Sequence, residues 1–230
     1  MKTYFNWSSG KDAALALYHL QQKLTVDRLL TTINAHHDRV SMHGLRTTLL
    51  MQQVKNIGLP LTTLMLSEQP SMEEYDQKMA ETIAQLKAEG YTDCGFGDIF
   101  LEDLRAYREK QLEGITCHFP LWRRNTQSLI EEFITLGFKA IIICLDASLL
   151  DASWLGREID ESFIQALPAH VDPCGENGEF HTFCFDGPIF SKPVAFEKGE
   201  KVLRQYKKPK NDAQEPEEKQ GFWFIDLLPV

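Results

Sequence analysis

The sequence predicts an α/β fold: a five-stranded parallel sheet with helices on both faces, followed by a smaller α+β domain. Three observations lead to this prediction. Strand-like apolar runs alternate with helical patterns in the first half, a small polar turn joins the first strand to the first helix, and short strands and turns replace the alternation after Val171. Repeated β–α order favours a parallel sheet, because each crossover helix returns the next strand in the same direction.

The elements of the first half follow in chain order. The strands are apolar or β-branched runs, predicted at Thr3–Trp7, Arg28–Asn34, Leu61–Leu66, Asp93–Phe96 and Thr116–Phe119. The helices between them place apolar residues three or four apart, and they are predicted at Lys11–Gln22, His43–Ile57, Ser71–Glu89 and Leu101–Glu113. Ser71 precedes Glu74 by three residues, which is the spacing of a capping box and marks a helix start.

A domain boundary is predicted near Trp122–Asn125, so that the chain divides into 1–122 and 123–230. The second part contains a helix, a buried strand, a second helix and a final strand, predicted at Thr126–Leu136, Lys139–Leu145, Gly156–Ala166 and Gly221–Asp226. We expect the charged, proline-bearing stretch 207–220 to be a mobile loop, because it cannot bury apolar surface. This loop is expected to join the two strands of a hairpin.

Composition narrows the classes of function. The chain has 230 residues and a net charge of −9, which disfavours nonspecific nucleic-acid binding through clustered Lys and Arg. It has no apolar run of about eighteen residues, so we expect no membrane span. Five cysteines occur without a C-x-x-C, which favours free buried thiols over disulfides or zinc. We therefore expect a cytoplasmic protein.

The turn Ser8–Asp12 is the first motif with chemical content. Small residues let a ligand approach the backbone, and the start of a helix offers unpaired N–H groups and a positive dipole end. This combination suits a phosphate, with Lys11 as a mobile cation and Asp12 as a helix cap or a ligand of Mg²⁺. It is not a Walker A loop, because Phe5 stands where that motif has glycine. An ordinary strand-to-helix turn remains the alternative.

Other polar residues follow neighbouring strands. Ligands of open α/β sheets bind at the carboxyl ends of the strands, so Thr32, His43 and Asp98 are expected to face the same crevice as the turn. Asp98 is alternatively an N-cap for the following helix. Arg105 and Arg108 share one face of that helix, where they either clamp phosphates or pair with nearby acidic residues, Glu102 and Glu109.

The stretch Asp172–Thr182 carries carboxylates, an amide, an imidazole, a thiol and a hydroxyl within eleven residues. A polar hairpin turn would explain its central Glu-Asn-Gly. Such a turn requires none of the flanking Cys174, His181 and Thr182, so we favour a functional site.

Together these stretches resemble the diphthine–ammonia ligase family, a branch of the ATP pyrophosphatase (adenine nucleotide α-hydrolase-like) superfamily. The resemblance rests on segments that span most of the chain: Ser8–Asp12, which is similar to the PP-loop S-G-G-x-D-S, 42–44, Gly97–Ile99, Tyr107–Glu109 and Gly175–Thr182. It implies a Rossmann-like sheet of the HUP type. Two departures stand out, because Ser9 replaces the second glycine of the PP-loop and Ala13 replaces its serine. Both departures are expected to weaken nucleotide affinity or turnover.

The resemblance implies ATP-dependent amidation. The carboxylate of diphthine, a modified histidine of elongation factor 2, attacks the α-phosphate, and ammonia then displaces AMP. It implies a catalytic set, Lys11, Asp12 and Asp98, of which Asp12 and Asp98 also hold Mg²⁺. The ATP-binding residues are then Ser8, Ser9, Gly10, Lys11, Asp12, Ala13, Thr32, His43, Gly97 and Arg105. The substrate-binding residues are Cys174, Glu176, Asn177, Glu179, His181 and Thr182.

We further expect Glu176, Glu179 and Phe180 to hold the quaternary ammonium group of diphthine through charge and cation–π contacts. A homodimer is among the assemblies the sequence allows.

Two other functions stay open. One is an ATP pyrophosphatase with a different acceptor, for which Cys174 is a lone candidate nucleophile. Thiolation is disfavoured, since such enzymes often use paired cysteines and no C-x-x-C is present. The other is a nucleotide-binding protein without catalysis, which the two departures Ser9 and Ala13 leave open.

Overall fold

The computed structural model describes residues 1–41, 43–207 and 219–230. Met42 and residues 208–218 lie outside the described residues. The mobile loop predicted over 207–220 falls mostly on them, but its ends, Lys207 and 219–220, lie in β-strands. Two sheets with their helices make up the described chain.

The first sheet contains six strands: β1 Lys2–Asn6, β2 Arg28–Asn34, β3 Arg39–Val40, β4 Leu61–Leu66, β5 Tyr91–Gly95 and β6 Thr116–His118. Strands β2, β1, β5 and β6 lie side by side in that order, β4 also pairs with β2, and all these pairs are parallel. The five-stranded parallel sheet is therefore confirmed. The two-residue β3 is an addition that pairs antiparallel with the end of β2. The chain leaves β1 for β2 on one side and later returns to β5 on the other, which makes β1/β5 the switch point where ligands of such sheets bind.

Helices cover both faces of this sheet, namely α1 Lys11–Gln21, α2 Thr47–Ile57, α3 Met72–Ala88 and α4 Glu102–Gln111. Consecutive residues of β1 point to opposite faces. Phe5 packs in the cluster that contains α1 and α2 residues, while Tyr4 packs with Ile83 and Leu86 of α3. The predicted start of α2 at His43 is wrong, because Gly44 has φ +70° and Arg46 still pairs with Arg39.

The second sheet is antiparallel throughout, in the order β8-β7-β10-β9. Its strands are β7 Lys139–Asp146, β8 Phe180–Asp186, β9 Phe196–Lys207 and β10 Lys219–Pro229, with α5 Thr126–Thr135 and α6 Glu161–Ala166 beside them. Pairing of β9 with β10 confirms the predicted hairpin. The predicted helix Gly156–Ala166 is wrong in its first half: Gly156 has φ +76° and Glu158 bridges to Ile141 of β7. The helix begins only after Asp160, whose side chain accepts from the Phe163 N–H at 2.7 Å.

The two sheets share one hydrophobic cluster, to which Phe5 of β1 and Leu17 of α1 contribute on one side and Ile141 and Phe183 of the second sheet on the other. Asp226 of β10 adds a polar link, since its carboxylate pairs with Arg39 at 2.9 Å and Arg46 at 2.6 Å. The boundary near residues 122–125 stays a prediction. None of the helices in the described ranges combines the length and apolar character that crossing a bilayer requires.

Candidate functional site

The turn after β1 places a serine in a glycine-like conformation. Ser9 is fully buried and has φ 73°, in the left-handed region that costs a non-glycine residue ~1–2 kcal/mol. Its carbonyl accepts two hydrogen bonds, from Gln53 Nε2 at 3.1 Å and from the Cys184 N–H at 2.9 Å. These contacts from α2 and β8 hold the turn, and they offset the conformational cost expected for this departure.

Gln53 is the residue that the sequence analysis missed. It is fully buried on α2, where its Oε1 accepts from the Trp7 Nε1–H at 3.2 Å and its Nε2 also donates to the Cys184 carbonyl at 2.6 Å. The Gln53 amide thus forms hydrogen bonds with the residue after β1, with the turn and with β8. A signal for it existed, because Gln53 lies four and three residues after the buried Leu49 and Leu50 and so shares their face.

The start of α1 takes its cap from the second sheet. Gly10, the N-cap residue, has no side chain, and the Lys11 N–H donates instead to Thr182 Oγ1 at 3.0 Å. A Cβ at Gly10 would lie 3.1 Å from His43 Cε1 and 3.3 Å from the Thr182 carbonyl oxygen. A Cβ at Gly97 would lie 3.0 Å from the Ala13 nitrogen. The loop after β5 and the start of β8 therefore both pack against the first turn of α1, as the predicted crevice requires.

Lys11 is almost completely buried in a polar pocket made by the chain itself. Its Nζ donates to Asp12 Oδ2 at 2.7 Å and Oδ1 at 2.9 Å, and to the Cys174 carbonyl. Burial lowers the pKa of Lys11, but the Asp12 carboxylate and other acidic neighbours outweigh it and the pKa is raised, so the side chain carries its charge. The Phe180 ring lies 5.4 Å from Nζ and is itself 2% exposed. In this structure the Phe180 ring therefore faces Lys11, and a contact between Phe180 and the quaternary ammonium of a substrate stays a prediction.

The polar stretch before β8 connects the two halves of the site. Glu176 Oε1 accepts from the Ile99 N–H at 2.8 Å, in the loop after β5. Burial raises the pKa of Glu176 to about 7, and the Asp12 carboxylate adds to that effect. Glu179 is buried and accepts from the Asp172 N–H at 3.0 Å, the Asn177 N–H at 2.9 Å and Asn177 Nδ2 at 3.0 Å. Glu179 and Asn177 therefore shape the loop that presents Glu176.

His43 and His181 stack beside this loop, with ring centroids 4.7 Å apart and planes 29° from parallel. Burial lowers the pKa of His43 to about 3, with a further contribution from His181, and burial lowers the pKa of His181 to about 4. Both imidazoles are neutral at neutral pH. His43 also lies against Gly10, so the structure brings it to the turn as predicted.

Asp98 and the arginines of α4 form their own contacts. The Asp98 carboxylate pairs with Arg108, Nε to Oδ2 at 2.8 Å and Nη2 to Oδ1 at 3.1 Å. Asp98 does not cap α4, whose N-cap residue is Leu101, so that alternative is wrong. Arg105 donates to Glu109 at 2.9 Å and its guanidinium lies 4.7 Å and 4.6 Å from the ring centroids of Phe119 and Trp122. Of the two predicted uses of Arg105, this structure shows the pairing with Glu109.

The remaining candidates are less central. Ser8 Oγ accepts from the Gly10 N–H at 3.4 Å, and the Thr32 carbonyl accepts from the Ser41 N–H at 3.0 Å. Cys174 is buried, its Sγ donates to the Thr126 carbonyl at 3.4 Å, and burial raises the pKa of its thiol. A nucleophilic cysteine has a lowered pKa, so Cys174 lacks that activation.

Two surface hollows of about 430 Å³ lie elsewhere, one lined by Gln21–Val26 and one between α3 and α4.

Comparison with known proteins finds matching family models for most of the chain. The model of the diphthamide synthase N-terminal domain matches residues 1–116, and that of the diphthamide synthase C-terminal domain matches residues 125–209. Curated relatives named diphthine–ammonia ligase include the Bos taurus protein, 38% identical over 87 residues, which are 36% of this chain and 33% of the relative. The Homo sapiens protein is 36% identical over 88 residues, with coverages of 36% and 33%. The Danio rerio protein is 35% identical over 111 residues, 44% of each chain.

The matched segment thus spans about a third of the length of the first of these relatives. A solved structure, described as a predicted subunit of tRNA methyltransferase from Methanocaldococcus jannaschii, aligns with 62% of this chain and 80% of its own. The two chains are 15% identical, with a TM-score of 0.39.

Proposed function

The chain belongs to the diphthamide synthase family, and from that premise we propose that it is an ATP-dependent carbon–nitrogen ligase. In this proposal it adenylates a carboxylate of the diphthine type on an elongation factor. It then transfers ammonia to the acyl group, which releases AMP and pyrophosphate. The relatives named diphthine–ammonia ligase support this choice of reaction.

One observation carries the proposal: a charged lysine and the first turn of α1 lie at the switch point of the parallel sheet, packed against the loop after β5. Charge builds on the pyrophosphate leaving group, so catalysis requires donors and cations aimed at it. Lys11 supplies such a cation, and the N–H groups at the start of α1 supply such donors. Because Lys11 is held by Asp12 and the Cys174 carbonyl, binding of a polyphosphate exchanges these contacts for phosphate oxygens.

The carboxylates fit Mg²⁺ only in part. Asp12 pairs with Lys11 and Asp98 with Arg108, and within the described ranges no group of three His, Cys, Asp or Glu residues is placed to hold a metal ion. In our proposal Asp12 and Asp98 would hold the ion, which would supply neutralisation of phosphate charge.

Glu176 is the proposed proton acceptor for the attacking ammonia. Ammonia becomes acidic as its nitrogen bonds to the acyl carbon, so a nearby base must take a proton. Burial brings the pKa of Glu176 to about 7, which is the range a general base needs at neutral pH. Glu176 is also anchored to the Ile99 N–H, which fixes it beside the loop that packs on α1.

The cytoplasmic location and the homodimer stay predictions from the sequence.

The test follows AMP and pyrophosphate release from ATP with ammonium and a diphthine-bearing elongation factor. We expect AMP and pyrophosphate in equal amounts, and a loss of at least 100-fold in Lys11→Ala. The control is Lys55→Ala, because Lys55 lies exposed on α2 and is expected to leave the rate unchanged. ADP and phosphate as the products would contradict the proposal. Binding of ATP without AMP formation for any acceptor would favour a non-catalytic nucleotide-binding protein.

A further inference from the structure

Two thiols that the proposed reaction does not use lie side by side on neighbouring strands. Cys94 of β5 and Cys117 of β6 are register partners in the parallel sheet, and their Sγ atoms are 3.5 Å apart. The sequence analysis found no cysteine pair, because 23 residues separate these two in the chain. We propose that Cys94 and Cys117 are a dithiol that hydroperoxides oxidise to an intramolecular disulfide.

The two cysteines differ in access. Cys94 is fully buried, as are Cys144, Cys174 and Cys184, whereas Cys117 is half-buried. An oxidant from solvent therefore meets Cys117 first, and Cys94 is the thiol behind it. This is the arrangement of a reacting cysteine beside a resolving cysteine.

The surroundings of Cys117 favour its thiolate. Its pKa is lowered by the hydrogen bond from Cys94 and by the guanidiniums of Arg108 and Arg105, against the opposing effects of burial and Glu109. The thiolate is the form that attacks peroxides. The hydrogen bond to Cys117 and burial raise the pKa of Cys94, which favours the protonated form of that inner sulfur. The Tyr4 hydroxyl of β1 also faces the pair and stays protonated, because burial raises its pKa.

A hydroperoxide is the oxidant that converts the two thiols to a disulfide. The Cys117 thiolate attacks the peroxide oxygen, the O–O bond breaks, and Cys117 becomes a sulfenic acid as the alkoxide or hydroxide leaves and takes up a proton. Cys94 then attacks the Cys117 sulfur, forms the S–S bond and releases water. Neighbouring strands lie ~4.8 Å apart, within the ~4.4–6.8 Å between Cα atoms that disulfides accept, so the strands need not separate.

The experiment treats the whole protein with tert-butyl hydroperoxide, counts thiols after denaturation and maps the bridged peptides by mass spectrometry. We expect two of the five thiols to disappear, at a rate that does not depend on protein concentration, with Cys94 and Cys117 in one linked peptide. This part of the experiment uses the wild-type protein alone, so its result does not depend on whether a variant folds. Five remaining thiols, a different linked pair, or only intermolecular links would overturn the proposal.

Variants then separate the two roles. Cys94→Ala is expected to lose a single thiol and to trap dimedone at Cys117, since a sulfenic acid forms but has no inner thiol to resolve it. Cys117→Ser is expected to slow thiol loss at least tenfold. Cys144→Ala is the matched control, because Cys144 is another buried strand cysteine and its removal should leave the Cys94–Cys117 link intact. Equal rates in Cys117→Ser and wild type would contradict the proposed order of attack.

Discussion

The helices α1 and α3 begin in opposite ways. At the start of α3 the Ser71 side chain accepts from the Glu74 N–H at 3.0 Å, and Glu74 in turn accepts from the Ser67 N–H at 2.8 Å. Every partner lies within eight residues. At the start of α1 the cap residue is Gly10, and the capping oxygen comes from Thr182, 171 residues from its partner Lys11. The start of α1 therefore depends on a distant segment of the chain for its shape.

This difference concerns more than the cap. The α1 start also relies on Gln53 and the Cys184 N–H to hold Ser9, and on Glu176 to fix the loop after β5. We therefore expect substitutions in these supports to affect both stability and ligand binding. Substitutions at the α3 start should affect stability alone.

The largest effect is expected for Gln53→Leu. This change removes the partner of the Trp7 Nε1–H and of the Cys184 carbonyl, both deep in the core, and each unsatisfied group costs about 1–3 kcal/mol. We expect the free energy of unfolding to fall by roughly 3 kcal/mol or more in urea titrations. The control Gln85→Leu, an exposed site on α3, should change it by less than about 0.5 kcal/mol. A loss in Gln53→Leu no larger than in the control would contradict this role.

The next effect depends on pH. The folded pKa of Glu176 is about 7, above its ordinary value of 4.5, so the protonated form is favoured on folding. The stability that it contributes is fully present below pH 4.5 and is lost as pH rises through 7. Relative to wild type, Glu176→Gln should therefore gain roughly 1–3 kcal/mol in stability between pH 5 and pH 8.

Glu74→Gln at the α3 start is the opposing control. Hydrogen bonds from Ser67 lower the pKa of Glu74, so its contribution is present above pH 4.5 and is lost only as pH falls below that value. The difference between this variant and wild type should stay constant from pH 5 to pH 8. A constant difference for Glu176→Gln as well would show that the Glu176 carboxyl titrates normally.

The paired caps come third. Thr182→Val keeps the shape of the side chain but removes the oxygen that accepts from the Lys11 N–H, and we expect a loss of about 1–2 kcal/mol. Ser71→Ala should cost about 1 kcal/mol. Isothermal titration with ATP should separate them, because Thr182→Val is expected to weaken binding while Ser71→Ala leaves it unchanged. Equal ATP affinities for the two variants would remove the functional distinction between the two helix starts.

The smallest effect is expected at Ser9. Its hydroxyl is buried and has no hydrogen-bond partner among the described residues, so Ser9→Gly and Ser9→Ala remove the same atom. Only glycine also relieves the left-handed backbone, and we expect Ser9→Gly to be more stable than Ser9→Ala by about 1 kcal/mol. Thermal unfolding of the two variants measures this difference directly. Equal melting temperatures would mean that the turn adapts to a side chain without strain.

The sequence predicted the elements whose causes are local. Strands Arg28–Asn34 and Leu61–Leu66 were predicted to the residue, because an apolar run bounded by turn residues contains all the information they need. Gly58 ends α2 with φ +81°, as the Gly-Leu-Pro sequence indicates. The helix predicted from Gly156 failed because its first residues pair with Ile141 of β7, a contact that no window of neighbouring residues can reveal.

The candidate site also divides into features with local causes and features that depend on distant contacts. The turn, Asp98 and the stretch Asp172–Thr182 were recognisable from residue types. Their partners were not: Lys11 binds the Cys174 carbonyl, Asp98 binds Arg108, and Glu176 binds the Ile99 N–H. Gln53 resembles a surface glutamine in the sequence, and only the burial of its neighbours Leu49 and Leu50 marks it as a core residue.

The hydrogen bond from Lys11 to Thr182 also sets an order of events during synthesis. The oxygen that completes the α1 start leaves the ribosome 171 residues after Lys11. At ~5–20 residues per second this is a delay on the order of 10–30 s, during which the first strands and helices exist without a finished turn. The turn is therefore completed long after its own residues are made, and nascent chains that end before Thr182 should bind nucleotide less tightly than the released protein.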